Sequence, residues 1–141
     1  MSERLSAYAP TFLAILRIMT ALLFIEHGTQ KLFGFPPGGS MTPPETLSMI
    51  WWAGIIEIIP GALVLVGLFT RPAAFIAAGE MAFAYWIGHF PREPLPEGFF
   101  PVNNDGDAAI LFCFVFLYLV FAGPGRWSID ERLPQRDEPD A

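Results

Sequence analysis

From Arg17 to Gly34 the chain reads Arg-Ile-Met-Thr-Ala-Leu-Leu-Phe-Ile-Glu-His-Gly-Thr-Gln-Lys-Leu-Phe-Gly, placing an arginine, a glutamate, a histidine and a lysine in a stretch otherwise apolar enough to cross a bilayer. Charges at that depth are costly unless they face protein or a wet cavity, so the remaining helices are expected to close around this one. The rest of the composition points the same way. A chain of 141 residues that is 53% hydrophobic, 15% aromatic and only 16% charged, with a mean hydropathy of +0.45, is too apolar for a soluble domain of its length. The net charge of −6 is partly a property of the tail, because five of the fourteen carboxylates lie after Ser128. Cys113 is the single cysteine, which excludes an intrachain disulfide and a Cys-x-x-Cys redox pair.

Four helices are expected, at about residues 9–33, 47–69, 73–90 and 107–122, in one transmembrane domain over 1–133, followed by a polar acidic tail at 134–141. Pro10 suits the first turn of the first helix. A cleaved signal peptide is not expected, because Arg17 interrupts the apolar core and no small-x-small site follows. Residues 34–46 hold four prolines and three glycines and cannot continue a helix. The second helix carries Glu57 as its one charge. Pro60 is expected to leave carbonyls near Glu57 unpartnered and to kink it, and Gly54 and Gly61 to admit a close neighbour. Thr70-Arg71-Pro72 reads as a tight connection. Pro91 to Gly106 forms a second Pro/Gly loop, in which Glu97-Gly98-Phe99-Phe100 could cap one mouth of the bundle. Gly123-Pro124-Gly125 stops the fourth helix, and a polar tail starts at Arg126.

Lys and Arg set the orientation. Arg4, Arg71, Arg126, Arg132 and Arg136 share one face, against Lys31 and Arg92 on the other, so both termini are expected to be cytoplasmic. At the helical rise, Arg17, Glu57 and Glu80 fall about 10 to 17 Å from the cytoplasmic edge, while Glu26, His27, Lys31, His89 and Asp107 fall about 20 to 30 Å from it. Two polar layers result. Arg17, Thr20, Phe24, His27 and Lys31 recur every three or four residues, a stripe expected to face the bundle. Glu26 points half a turn away, toward headgroups or a partner subunit.

The inner layer reads first as a buried ion pair of Arg17 with Glu57 and Glu80 that fixes helix register. One guanidinium against two carboxylates leaves a negative excess, and a proton-exchanging group beside a bound quinone is the sharper alternative. Metal or haem ligation by His27 and His89, with Asp107 or Glu26 as third ligand, ranks below hydrogen-bonded interfacial histidines, because no metal-ligand spacing is present. No phosphate-binding loop, nucleophile elbow or basic nucleic-acid patch is found.

Several segments, taken together in order, resemble the DoxX family of small four-helix bacterial membrane proteins. They are Arg17 with His27-Gly28-Thr29-Gln30-Lys31-Leu32-Phe33-Gly34, then Glu57 to Arg71, Met81-Ala82-Phe83-Ala84-Tyr85 with His89, and Gly123-Pro124-Gly125-Arg126-Trp127-Ser128-Ile129-Asp130. Pro60 stands where the family more often has a small residue, and Asp107 where a glutamate is usual. The resemblance implies an all-α integral membrane four-helix bundle of the bacterial inner membrane, associated with a membrane oxidoreductase or oxidative-stress complex. Such a protein would work as a homo-oligomer or beside a redox partner, with Arg17, His27, Lys31, Glu57, Glu80, His89 and Asp107 as buried polar or ligand-binding candidates. Quinone is the cofactor that the resemblance suggests, and no metal site is assigned. A non-enzymatic scaffold or assembly factor and a small-molecule or proton permeation unit are the competing functions.

Overall fold

The structure, a computed structural model, describes residues 2–38, 44–90 and 94–133. Arg92, Arg136 and the acidic stretch 134–141 lie outside the described residues. A short α1 (Ser2–Ser6) precedes four long helices, α2 (Ala9–Phe33), α3 (Met49–Val66), α4 (Thr70–Ala84) and α5 (Asp107–Ala122). Among the described residues there is no β-strand element, and α2 and α3 are each long and apolar enough to cross a membrane. α2 packs along α3, α3 against α4 and α4 along α5, while α2 and α5 touch less extensively.

Local chemistry sets the ends. Pro10 occupies the first turn of α2, where its missing N–H costs nothing, and Gly34 closes the helix in the left-handed region at φ 64°. Ser48 caps α3 by accepting a hydrogen bond from Trp51 N at 3.2 Å, so that helix begins at Met49 rather than at Leu47. It runs through Pro60 and stops at Gly67, φ 69°. Thr70-Arg71-Pro72, expected as a connection, is instead the first turn of α4, a place where proline is tolerated. The connection is the preceding Gly67-Leu68-Phe69, with positive φ at Gly67 and Phe69. Beyond Ala84, α4 widens into a π-helical turn, Tyr85–His89.

Packing is inside-out relative to a soluble bundle. The buried face of α2 carries Ala14, Arg17, Thr20, Ala21, Phe24 and Gly28, and that of α4 carries Ala73, Ala74, Ala77, Ala78 and Met81. Leu22, Ile59, Phe75, Ile76, Phe83, Leu111 and Phe114 are exposed, as is Phe121 at 75%. Small residues inside let the backbones approach, and large apolar residues outside suit lipid. Gly28 is a close contact of α2 with α3. A Cβ there would lie 2.8 Å from Ile58 Cγ1 and 2.9 Å from both Glu57 Cβ and the Gly54 carbonyl oxygen. Gly54 and Gly61 likewise face Leu32 and Ile25. The close neighbour expected beside them is therefore α2 of the same chain. At mid-depth Phe24 meets Phe116 edge-on at 4.7 Å, and with Ala21, Val64 and Leu119 they form a fully buried apolar layer.

Candidate functional site

The helix offset decides which charges meet. Gly28 lies beside Glu57, and Arg17, eleven residues earlier, stands about 16 Å further along the axis. There it is level with Gly67, at the end of α3. The expected Arg17, Glu57 and Glu80 cluster therefore does not form. With 25 residues against 18, α2 overhangs α3 at the terminal end of the bundle, so counting depth from its first residue places Arg17 too deep.

Arg17 is fully buried, and its charge is met by main-chain oxygens instead of carboxylates. Its guanidinium donates to the Pro124 carbonyl, to Trp127 O at 2.9 Å and to Arg126 O at 3.4 Å. The segment expected to be a polar tail folds back over the helix ends. Ile129 N and Asp130 N donate to Val66 O and Gly67 O, at 3.2 and 2.8 Å. Asp130 in turn accepts from Phe69 N and Thr70 N, both at 2.8 Å, capping α4 from a distant part of the chain. Burial alone would raise the Asp130 carboxyl. The two backbone donors and the Arg17 charge outweigh that and hold it below its ordinary value. Sequence reasoning missed this clasp because it assigned Arg17 to Glu57 and Glu80 and read Gly123-Pro124-Gly125 only as a helix stop.

At the opposite end, four helices frame an open cleft of about 510 Å³. α2 contributes His27 and Lys31, one turn apart; α3 contributes Glu57, α4 Glu80, and the π turn His89. Met49, Ile50, Ala53, Met81, Phe83, Ala84, Ile87 and Phe112 supply apolar walls. Lys31 forms an ion pair with Glu57, which is 1% exposed. One oxygen of Glu57 and one of Glu80 are buried and have no hydrogen-bond partner. The charge imbalance expected around Arg17 is thus found around Lys31, as one ammonium on a wall shared with two carboxylates.

His89 is positioned by the loop before α5. Its Nδ1 lies 3.0 Å from the Asn104 carbonyl oxygen. Asn104 is itself locked, donating from Nδ2 to Gly98 O and accepting at Oδ1 from Gly106 N, both at 2.9 Å. The His27 ring stands edge-on to Phe112 at 5.9 Å. Asp107, expected as a buried candidate, is exposed in the first turn of α5 and does not line the cleft, where Asp105 stands instead. The reason is helical phase, since Asp107 opens α5 while Ala108 and Ala109 face inward. Glu26 is exposed. Phe99 and Phe100 are exposed and do not cover the cleft, with Phe99 packing edge-on to Phe90 at 6.1 Å. No group of three or more metal-ligating side chains occurs among the described residues.

A second hollow, of about 620 Å³, lies at the clasp end beside Arg71, Arg126, Asp130 and Glu131. Its groups are largely engaged: Arg71 donates to the Val120 and Phe121 carbonyls, and Asp130 caps α4. The smaller cleft, with open acceptors among apolar walls, is the better ligand site.

The family model described as DoxX matches residues 12–90. The chain is similar to an uncharacterized protein of Haemophilus influenzae, 43% identical over 133 residues that cover 92% of this chain and 96% of the relative. It is also similar to the uncharacterized membrane protein Rv3486 of Mycobacterium tuberculosis, 31% identical over 94% of this chain and 87% of that one. A third relative is the inner membrane protein YphA of Escherichia coli, 28% identical over 89% of this chain and 93% of its own length. No solved structure matches.

Proposed function

From the premise that this chain belongs to the DoxX family of membrane proteins, we propose that it is a four-span inner-membrane protein that holds a quinone in the cleft between its helices, as a subunit or accessory of a membrane oxidoreductase or oxidative-stress complex. Both termini lie in the cytoplasm: Arg4, Arg71, Arg126 and Arg132 gather at one end, and Lys31 stands at the other. Exposed Phe75, Ile76 and Phe83 on α4, and Leu111, Phe114 and Phe121 on α5, support four spans.

The observation that carries this reading is the cleft itself, where apolar walls surround Lys31, His27 and His89 with two unpartnered carboxylate oxygens beside them. Such a wall accepts a planar ring, and the polar groups fix its oxygens and exchange their protons. Two observations rank the alternatives below it. Gly54 and Gly61, the small residues that motivate a scaffold, already pack against α2 of the same chain. Permeation would need a polar route past Phe24, Val64, Phe116 and Leu119, which are fully buried and apolar.

Native mass spectrometry of gently extracted protein, followed by organic extraction of retained small molecules, tests the reading. Stoichiometric quinone is the expected result. A protein that is empty and takes up no added quinone in lipid nanodiscs would sink it, and a co-purifying protein with an empty cleft would point to the scaffold.

A further inference from the structure

Two rows of residues line the cleft from neighbouring helices. Along α3, Ile50, Ala53 and Glu57 recur at spacings of three and four; along α4 and its π turn, Glu80, Ala84 and Gly88 recur at four. The tight turn Gly67-Leu68-Phe69 joins these helices, so they run in opposite directions. Glu57 and Glu80 are the members nearest that turn, then Ala53 and Ala84, then Ile50 and Gly88. Each row thus passes from a carboxylate to small side chains toward the open end. Glu57 is 1% exposed and its Oε2 has no hydrogen-bond partner, which marks the inner end as the place for a polar ligand group.

Gly88 sets the shape of the outer end. It is exposed, and its φ is not in the positive region that would require glycine. A Cβ on it would meet nothing within 4 Å, whereas one on Gly28, Gly54 or Gly61 would lie 2.8, 2.7 or 2.8 Å from a side chain of the facing helix. Glycine weakens a helical turn relative to alanine, and neither packing nor backbone conformation calls for it here. What Gly88 supplies is space beside the cleft. Around that space Met49, Ile50, Phe83 and Ile87 both line the cleft and are exposed on the outside of the bundle, so the apolar wall runs without a break onto the surface that faces lipid in a four-span protein.

We infer that the cleft opens sideways into the bilayer through a portal between α3 and the π turn, with Ala53 and Gly88 as its sill, and that it takes a quinone carrying a hydrocarbon tail. The inference rests on the quinone reading and adds the route of entry and the tail. The ring lies among the polar groups, and the tail leaves across Met49, Ile50 and Ile87 into lipid. Lipid is as apolar as these side chains, so the portal acts through room and shape, which small residues provide.

The test measures retention of two probes by the full chain in lipid nanodiscs, with empty nanodiscs as the baseline. One probe is a benzoquinone with a decyl tail, and the other is the same ring with a methyl group in place of the tail. Gly88→Leu fills the portal and, with no neighbour to strain, is expected to melt as the parent does. It should retain the tailed quinone about tenfold less and the methyl quinone as the parent does. Gly79→Leu is the control: Gly79 is also exposed on α4 with nothing within 4 Å of its Cβ, but it lies outside the cleft, and both probes should bind as to the parent. Undiminished retention of the tailed quinone in Gly88→Leu, an equal loss of both probes, or the same loss in Gly79→Leu overturns the portal and leaves the quinone reading standing. A parent that retains neither probe overturns both. If Gly88→Leu melts early, Ala53→Leu on the other side of the portal carries the same expectation.

Discussion

The two ends of the bundle each hold a cation among the helices, Arg17 fully buried and Lys31 half-buried, and they treat it in opposite ways. At the clasp end Arg17 is enclosed by the carbonyls of Pro124, Arg126 and Trp127, and Asp130 seals the same corner by capping α4. Both terminal nitrogens of its guanidinium have acceptors, and Nε has none. At the cleft end Lys31 meets one oxygen of Glu57, while the other Glu57 oxygen and Glu80 Oε2 stay unpartnered beside an open hollow. Both arrangements satisfy the rule that an intramembrane charge must face protein or a cavity. Enclosure separates them: a charge wrapped in main-chain acceptors holds the fold together, and one beside an open hollow is available to a ligand.

The strongest way to break that contrast is Arg17→Leu. It removes a fully buried guanidinium and the donor to the Pro124, Arg126 and Trp127 carbonyls, and is expected to destabilise the protein by about 3 kcal/mol, read from thermal unfolding in detergent. A variant as stable as the parent would remove the distinction. Gly28→Ala probes the packing directly behind Glu57. Its Cβ would press on Ile58, Glu57 and the Gly54 carbonyl, and a loss of about 1 to 3 kcal/mol is expected in the same melt. No loss would mean that the cleft floor yields.

A smaller effect belongs to Asp130→Ala, about 1 kcal/mol, as for loss of a helix cap. This variant also carries a pH signature. The folded carboxyl sits below its ordinary 3.8, so between the two values the unfolded chain binds more protons than the folded one. The stabilisation is present above about pH 4 and is lost as pH falls through the folded value. Protection from hydrogen exchange at the Phe69 and Thr70 amides, relative to the intrinsic rate at each pH, should therefore fall on acidification in the parent, whereas the variant should lack that response. Smallest in stability is Glu80→Gln, under about 0.5 kcal/mol, because Glu80 Oε2 has no hydrogen-bond partner to lose and the amide keeps the same size. Its effect should fall on ligand retention in native mass spectra. A large loss of stability would show that Glu80 belongs with the enclosed charges.

The ends of α2 were legible in the residues that make them, Pro10 and Gly34, and the stop at Gly123 was legible for the same reason. Pro72 misled because the first turn of a helix tolerates proline as readily as a connection does. Helical phase placed Arg17, Thr20 and Phe24 of the stripe in the bundle interior, where they are buried, whereas Lys31 is half-buried and His27, expected to be buried, is exposed at the open cleft. Its partners were another matter. Main-chain carbonyls are the same at every residue, so nothing in Pro124, Arg126 or Trp127 announces an acceptor for Arg17. The pairing of Lys31 with Glu57 depends on the offset of α2 against α3, which Gly28 and Gly54 set only once those helices are known to touch. Asn104 sat in a loop whose turn residues gave no sign of holding His89.

The clasp joins residues more than a hundred positions apart: Arg17 to Pro124 spans 107. Synthesis proceeds from the N-terminus, so the arginine enters the membrane long before its acceptors exist. Until residues 124–130 emerge from the ribosome, Arg17 lacks its acceptors and the first turn of α4 lacks its cap. The last few residues of the bundle thus report that all the earlier ones have arrived, and a nascent chain halted before them carries the mark of its own incompleteness.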